Sequence, residues 1–187
     1  MSRIAKKKAE ARKAAYARRK EAHDPARSAQ ASAHLLTALE PYKGKIIAGY
    51  MPIRTEVDPL PAMEELSAHG PVVVPVIQGD GLPLLFREWT PGCPMLDGPF
   101  GALVPAEGAF LQPEVLVVPL VAFDAKGGRL GYGGGFYDRS LEALGQTGTP
   151  VAIGFAYAAQ ECAKLPREKT DIALDMIVTE DGVRRFD

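Results

Sequence analysis

The chain has 187 residues, 47% apolar and 24% charged, a balance that excludes a disordered polymer and gives one compact core with little room for a second. Cys93 and Cys162 stand far apart and outside any Cys-x-x-Cys pair, and no apolar run nears the roughly 20 residues of a membrane span or forms a secretory signal, so the cytoplasm is expected and neither a disulfide framework, a zinc site nor a membrane partner is indicated. The net charge of −1 is unevenly spread: residues 1–24 hold nine Lys/Arg against three Asp/Glu, which leaves about −7 on the remainder.

In chain order, the segment from Ser2 to Glu21 is rich in Ala, Lys, Arg and Glu and free of Gly and Pro, which predicts a basic helix within residues 1–24. A second helix is expected from Pro25 to Leu39, where Ala29, Ala33, Leu36 and Leu39 recur near the helical period until Pro41 stops it. Short apolar runs bounded by Gly and Pro then predict strands at Ile46–Met51, Val72–Ile77, Leu82–Phe86, Val115–Val121, Val151–Phe155 and Met176–Val178. Several of these do not alternate with polar residues, which suits strands covered on both faces by helices. Helices at 58–69 and 135–144 would complete a single three-layer α/β domain over 1–187, with a mainly parallel, Rossmann-like central sheet. Residues 87–113 carry nine Gly or Pro and are expected to form a long loop.

The most informative stretch runs from the buried strand at Val117 through Ala122-Phe123-Asp124 to Gly127-Gly128-Arg129-Leu130-Gly131-Tyr132-Gly133-Gly134-Gly135-Phe136-Tyr137-Asp138-Arg139. Glycines permit positive φ and close approach of backbone N–H groups to an anion, and a following helix start adds its own unpaired N–H groups. This describes a phosphate cradle. It matches neither the Walker pattern nor the dinucleotide fingerprint, and the glycines alone would equally suit a structural turn. Arg129 and Asp138, which bracket the loop, favour the anion-binding reading.

The same run resembles the signature of the 5-formyltetrahydrofolate cyclo-ligases, also called methenyltetrahydrofolate synthetases. Other segments are similar to that family as well: Lys8 and Arg12, followed by Arg18, in the basic helix; Tyr50-Met51-Pro52 with Glu56-Val57-Asp58; and Pro166, Asp171 and Asp175 with Val178-Thr179-Glu180. The chain departs from the family at Phe136, where many members carry Tyr, and at Tyr132 and Gly134, where some carry basic residues.

The resemblance implies conversion of 5-formyltetrahydrofolate and ATP to 5,10-methenyltetrahydrofolate, ADP and phosphate with Mg²⁺, the formyl oxygen being phosphorylated to make it a leaving group. It implies that Lys8, Arg12, Arg129 and the loop Leu130, Gly131, Tyr132, Gly133, Gly134, Gly135, Phe136 and Tyr137 bind the nucleotide. Lys8, Arg129 and Tyr137 would be the catalytic groups, and Asp138 and Asp171 the Mg²⁺ ligands. Met51, Glu56, Trp89, Tyr132 and Phe136 would contact the folate, with Trp89 packing on its flat pterin or benzoyl group.

Other readings of the same residues remain open at this level. A basic helix face can be merely solvated, or can form a nucleic-acid arm, although no basic patch with interleaved aromatics continues past residue 24 and no nucleic-acid partner is expected. Asp58-Pro59 also reads as a helix start, and His23, His34 and His69 lack ligand spacing. A sugar-phosphate isomerase, an acyl-CoA transferase or a folate-binding protein without turnover are the rival functions, and a monomer or weak homodimer is the expected assembly.

Overall fold

The computed structural model describes residues 1–187. Helix α1 spans Arg3–Ala22 and starts at Ser2, whose hydroxyl accepts from the Ala5 amide. Helix α2 spans Pro25–Leu39; the Asp24 carboxylate caps it by accepting from the Arg27 amide, and Pro25 sits in the first turn, where its missing N–H costs nothing. Helices α3 (Leu60–Ser67) and α4 (Phe136–Gly145) complete the set.

The strands are β1 (Ile47–Ala48), β2 (Val72–Val76), β3 (Leu85–Trp89), β4 (Met95–Asp97), β5 (Leu103–Pro105), β6 (Val115–Pro119), β7 (Ala122–Asp124), β8 (Arg129–Leu130), β9 (Val151–Phe155), β10 (Glu161–Cys162), β11 (Met176–Thr179) and β12 (Gly182–Arg185). Seven form the main sheet in the order β12-β11-β9-β6-β1-β2-β3. The five central strands, β11 to β2, run parallel, and β3 and β12 are antiparallel edges.

Both faces of the centre are covered, which explains the strands without polar alternation. Ile47, Val72, Val115, Val117 and Ile153 pack under Leu35 and Leu39 of α2 and Met63 and Leu66 of α3. The intervening Ala48, Val73, Leu116, Val118 and Ala152 face the other way, toward Leu141 of α4 and Phe86. Helices thus lie on both sides of a mostly parallel sheet. The strand–helix alternation of a Rossmann-like winding breaks down in two places: β2 turns back directly into β3, and β9 reaches β11 through irregular chain and the short β10.

Residues 87–113 depart from expectation. They hold the end of β3 and a β4–β5 hairpin whose tip, Pro99–Gly101, is a tight turn with Phe100 and Gly101 at positive φ. The expected strand at Leu82–Phe86 is displaced to Leu85–Trp89, because Gly79 and Gly81 take positive φ and hold the preceding chain in a turn. Arg87 then orders the segment that its Gly and Pro content would leave loose: its guanidinium donates to the carbonyls of Gly108 and Pro105 and lies over the Phe110 ring.

Candidate active site

The chain reverses its direction of travel across the sheet between β1 and β6, since β1 leads through α3 to β2 on one side and β6 leads to β9 on the other. Neighbouring connections diverge at such a point and leave a crevice at the carboxyl ends of the strands. A cavity of about 700 Å³ lies there, with Tyr50 and Met51 beyond β1, Pro75 and Ile77 at the end of β2, and Pro119 at the end of β6 among its walls. The tip of the β4–β5 hairpin, with Phe100 71% exposed, forms part of its rim.

Part of the cavity wall is lined by charged groups of both signs. Lys8 is only 8% exposed, and its ammonium donates to Glu168 Oε2 and Asp171 Oδ2, both at 2.7 Å. Burial works to lower its pKa, but the hydrogen bonds and charges of Asp171 and Glu168 outweigh it and raise the value. One turn along α1, Arg12 Nε donates to the Gly131 carbonyl at 2.8 Å. Arg129 enters from β8 and pairs through Nη2 with Asp138 Oδ1, an oxygen that also accepts from the Ile172 amide at 2.9 Å. Burial pulls the Arg129 pKa down, with the Asp138 charge opposing it, and Nε of this guanidinium has no partner.

The β7–β8 hairpin that presents Arg129 is knotted by Asp124. Its Oδ1 accepts from the amides of Lys126 and Gly128, and its Oδ2 from Leu165, while Gly127 supplies the left-handed turn residue with φ 76°. One carboxylate therefore ties the strand carrying Arg129 to the segment that leads into Glu168 and Asp171. Past Leu130, the loop reaches α4 through Gly133 and Gly135, whose φ values of 107° and 69° are costly for other residues. The Tyr137 hydroxyl at the start of α4 is fully enclosed without a hydrogen-bond partner, and burial raises its pKa so far that it stays protonated.

The same cavity is lined by Glu56, 6% exposed, accepting from the Ile53 amide at 2.8 Å. Burial raises its pKa, against the stabilising effects of the Ile53 amide and the Arg19 charge. Behind it, Arg19 donates through Nε to Thr55 Oγ1 and through Nη1 to the Tyr132 hydroxyl.

Of the residues expected from sequence, Lys8, Arg12, Met51, Glu56, Arg129 and its following loop to Asp138, and Asp171 all line this one cavity. Leu130 does so while its side chain belongs to a small core with Ala15, Val121 and Leu165. Trp89 does not: it ends β3 in the main core, 6% exposed, packed with residues of the sheet and not against the cavity. Arg18 points away and donates to the Ala159 carbonyl. Sequence reading missed Glu168, Arg19, Arg54 and Arg139. Arg19 had a visible signal, since Lys8, Arg12 and Arg19 fall at i, i+4 and i+11 on one helix face.

Residues 4–180 match the model of the 5-formyltetrahydrofolate cyclo-ligase family. The chain belongs to this family. It is 34% identical over 156 residues to the 5-formyltetrahydrofolate cyclo-ligase of Haemophilus influenzae, covering 78% of this chain and 81% of that one. It is 32% identical over 164 residues to the cyclo-ligase of Escherichia coli K12, covering 82% and 88%. The NMR structure of Aquifex aeolicus 5,10-methenyltetrahydrofolate synthetase superposes with a TM-score of 0.76 at 32% identity, over 95% of this chain and 92% of that one. Membership in this cyclo-ligase family makes the chain an enzyme, and the crevice just described is where the sheet brings its charged groups together.

Proposed function

We propose that the chain closes 5-formyltetrahydrofolate to 5,10-methenyltetrahydrofolate at the expense of ATP, releasing ADP and phosphate by way of a phosphorylated formyl group. The observation that carries this reading is the convergence of Lys8, Arg12 and Arg129, from segments more than a hundred residues apart, on the one cavity that the glycine loop lines. Three cations and a row of backbone amides suit a triphosphate better than any neutral ligand.

A formyl amide is a poor electrophile, and its oxygen is a poor leaving group. In the proposed sequence the formyl oxygen attacks the terminal phosphorus of ATP, and the bond to ADP breaks. N10 then adds to the formyl carbon and gives up its proton, and the C–O bond breaks as phosphate departs, leaving the methenyl bridge. Catalysis by this chain is positioning and charge stabilisation. Lys8 and Arg12 hold phosphate oxygens in line. Arg129 neutralises charge on the transferred group, its unpartnered Nε being one donor without a protein acceptor. The protonated Tyr137 hydroxyl stands enclosed beside it and backs this wall of the site. Tyr132, Phe136, Met51 and Glu56 form the folate-facing wall.

Asp138 and Asp171 fit Mg²⁺. Each has one oxygen committed, Asp138 Oδ1 to Arg129 and Ile172 and Asp171 Oδ2 to Lys8 and the Glu168 amide, and each keeps a second oxygen without a protein donor. No cluster of three acidic, His or Cys side chains forms a cage, which suits an ion shared between one or two carboxylates and phosphate oxygens. Such an ion would offset the charge of the β- and γ-phosphates. No helix is long and apolar enough to cross a membrane, and the proposed setting is cytoplasmic.

The intermediate is testable with substrate labelled by ¹⁸O in the formyl oxygen. The label should appear in the released inorganic phosphate; label released into water would contradict phosphoryl activation.

A further inference from the structure

Arg19 is the largest of the fully buried side chains, 1% exposed, and it makes no ion pair. A buried guanidinium that makes no direct ion pair is costly, so a purely structural staple between α1 and the neighbouring turn would be better made from apolar residues. Two of its contacts lead instead to the cavity wall, since Tyr132 lines it and Thr55 adjoins Glu56, which lines it too. Nε donates to Thr55 Oγ1 at 3.0 Å, beside Glu56, and Nη1 donates to the Tyr132 hydroxyl at 2.8 Å. The guanidinium also lies over the rings of Tyr16 and Tyr132, 5.2 and 5.7 Å from their centroids. Glu56 and Tyr132 both line the cavity, whereas Arg19 does not.

We propose that Arg19 is a positioning residue for the folate: from behind the cavity wall it locks Tyr132 and the Thr55–Glu56 turn into one unit, setting folate affinity while nucleotide affinity rests with Lys8, Arg12 and Arg129. This builds on the cyclo-ligase reading above. Helix α1 carries both functions on one face, since Arg12 fixes the backbone of the loop at Gly131 and Arg19 fixes the side chain of the next residue. The two are seven residues apart, roughly 10 Å along the helix.

The electrostatics follow the same geometry. Glu56 is faced by Arg19 and Tyr16 from α1, Arg54 of its own turn, Tyr132 and Tyr137 from the loop and α4, and Tyr50 after β1. Only the two arginines are charged at neutral pH. Arg54 is exposed and screened by solvent, which makes Arg19 the effective cation. Loss of that charge raises the Glu56 pKa, so the acid limb of folate affinity moves to higher pH.

The test uses the full chain as wild type, Arg19→Gln and Arg19→Lys, with KM for 5-formyltetrahydrofolate and for ATP measured separately from acid to neutral pH. Arg19→Gln should raise the folate KM about tenfold and the ATP KM less than about twofold, with the acid limb shifted upward. Arg19→Lys should keep the limb in place, since the charge remains, yet still raise the folate KM because an ammonium cannot serve Thr55 and Tyr132 as the fork does. Equal rises in both KM values, or no rise in either, would overturn the proposal. If Arg19→Gln does not fold, the KM split of Arg19→Lys decides. A ¹³C NMR titration of Glu56 in substrate-free protein, assigned with Glu56→Gln, separates this inference from the function itself. An unchanged midpoint in Arg19→Gln sinks the coupling, whereas absent turnover by the wild type sinks the function and leaves the titration to judge Arg19.

Discussion

Arg129 and Asp138 stand at the two ends of the glycine loop and close on each other, the guanidinium donating to Asp138 Oδ1 while the Arg129 side chain is 5% exposed. The pair has two consequences, since it fastens the loop at its base and leaves a cation held inside the protein by a single carboxylate. Asp138→Asn removes the counter-charge and keeps the shape, so it should cost about 2–4 kcal/mol of stability. Arg129→Met removes the buried charge altogether and should cost less. Both should abolish most turnover. Thermal or urea denaturation of the two variants checks the order, and a more stable Asp138→Asn would contradict it.

Much of this pair's setting was legible in the sequence. The strand before the loop, the glycines and the helix after them announce a tight glycine turn leading into a helix, and the spacing of Lys8 and Arg12 places both on one helix face. Arg19 was legible in the same spacing but looked like one more cation in a basic helix. Its burial depends on Tyr132 and Thr55, which are distant in sequence. Trp89 was misplaced for a related reason: aromatic residues serve cores and ligands equally well, and only the pairing of β3 with β2 decides which side of the sheet it occupies. The β4–β5 hairpin was hidden by its Gly and Pro content, because the contacts that order it come from Arg87 and not from local propensity.

Trp89→Phe should therefore act on the core and not on the substrate. We expect a loss of about 1–3 kcal/mol with the folate KM changed less than about twofold. Chemical denaturation and steady-state kinetics on the same preparation check this. A large rise in folate KM at unchanged stability would restore Trp89 to the binding wall.

The glycines of the loop differ in what a methyl group would meet. A Cβ at Gly131 meets nothing within 4 Å, whereas Gly135 has φ 69° and its Cβ would stand 2.7 Å from the Arg139 guanidinium. Gly135→Ala should lose about 1–2 kcal/mol from the left-handed backbone alone. Gly131→Ala should leave stability within about 0.5 kcal/mol, so its ATP KM isolates how closely the nucleotide approaches the backbone. A rise of about tenfold is expected, the equivalent of one lost phosphate contact. An unchanged value would place the phosphates elsewhere.

Glu56 gives a pH signature. Its pKa is raised by burial, so the protonated carboxyl is favoured in the folded state. Its contribution to stability is therefore fully present below the ordinary Glu pKa and is lost as pH rises through the elevated folded value. Glu56→Gln, which mimics the protonated form and can still accept from the Ile53 amide, should be more stable than wild type at neutral pH and indistinguishable from it below about pH 4. It should also bind folate worse. Melting temperatures across that range check the sign, and a destabilised Glu56→Gln at neutral pH would contradict it.

The most direct measurement is near-ultraviolet absorbance of 5,10-methenyltetrahydrofolate formed from 5-formyltetrahydrofolate, recorded with and without ATP and Mg²⁺ for the wild type, Asp138→Asn and Arg129→Ala. The predicted result is product that requires ATP and largely disappears in both variants while circular dichroism shows them folded. Product formed equally well without ATP, or undiminished in folded Arg129→Ala, would contradict the assignment of the glycine loop to phosphoryl transfer.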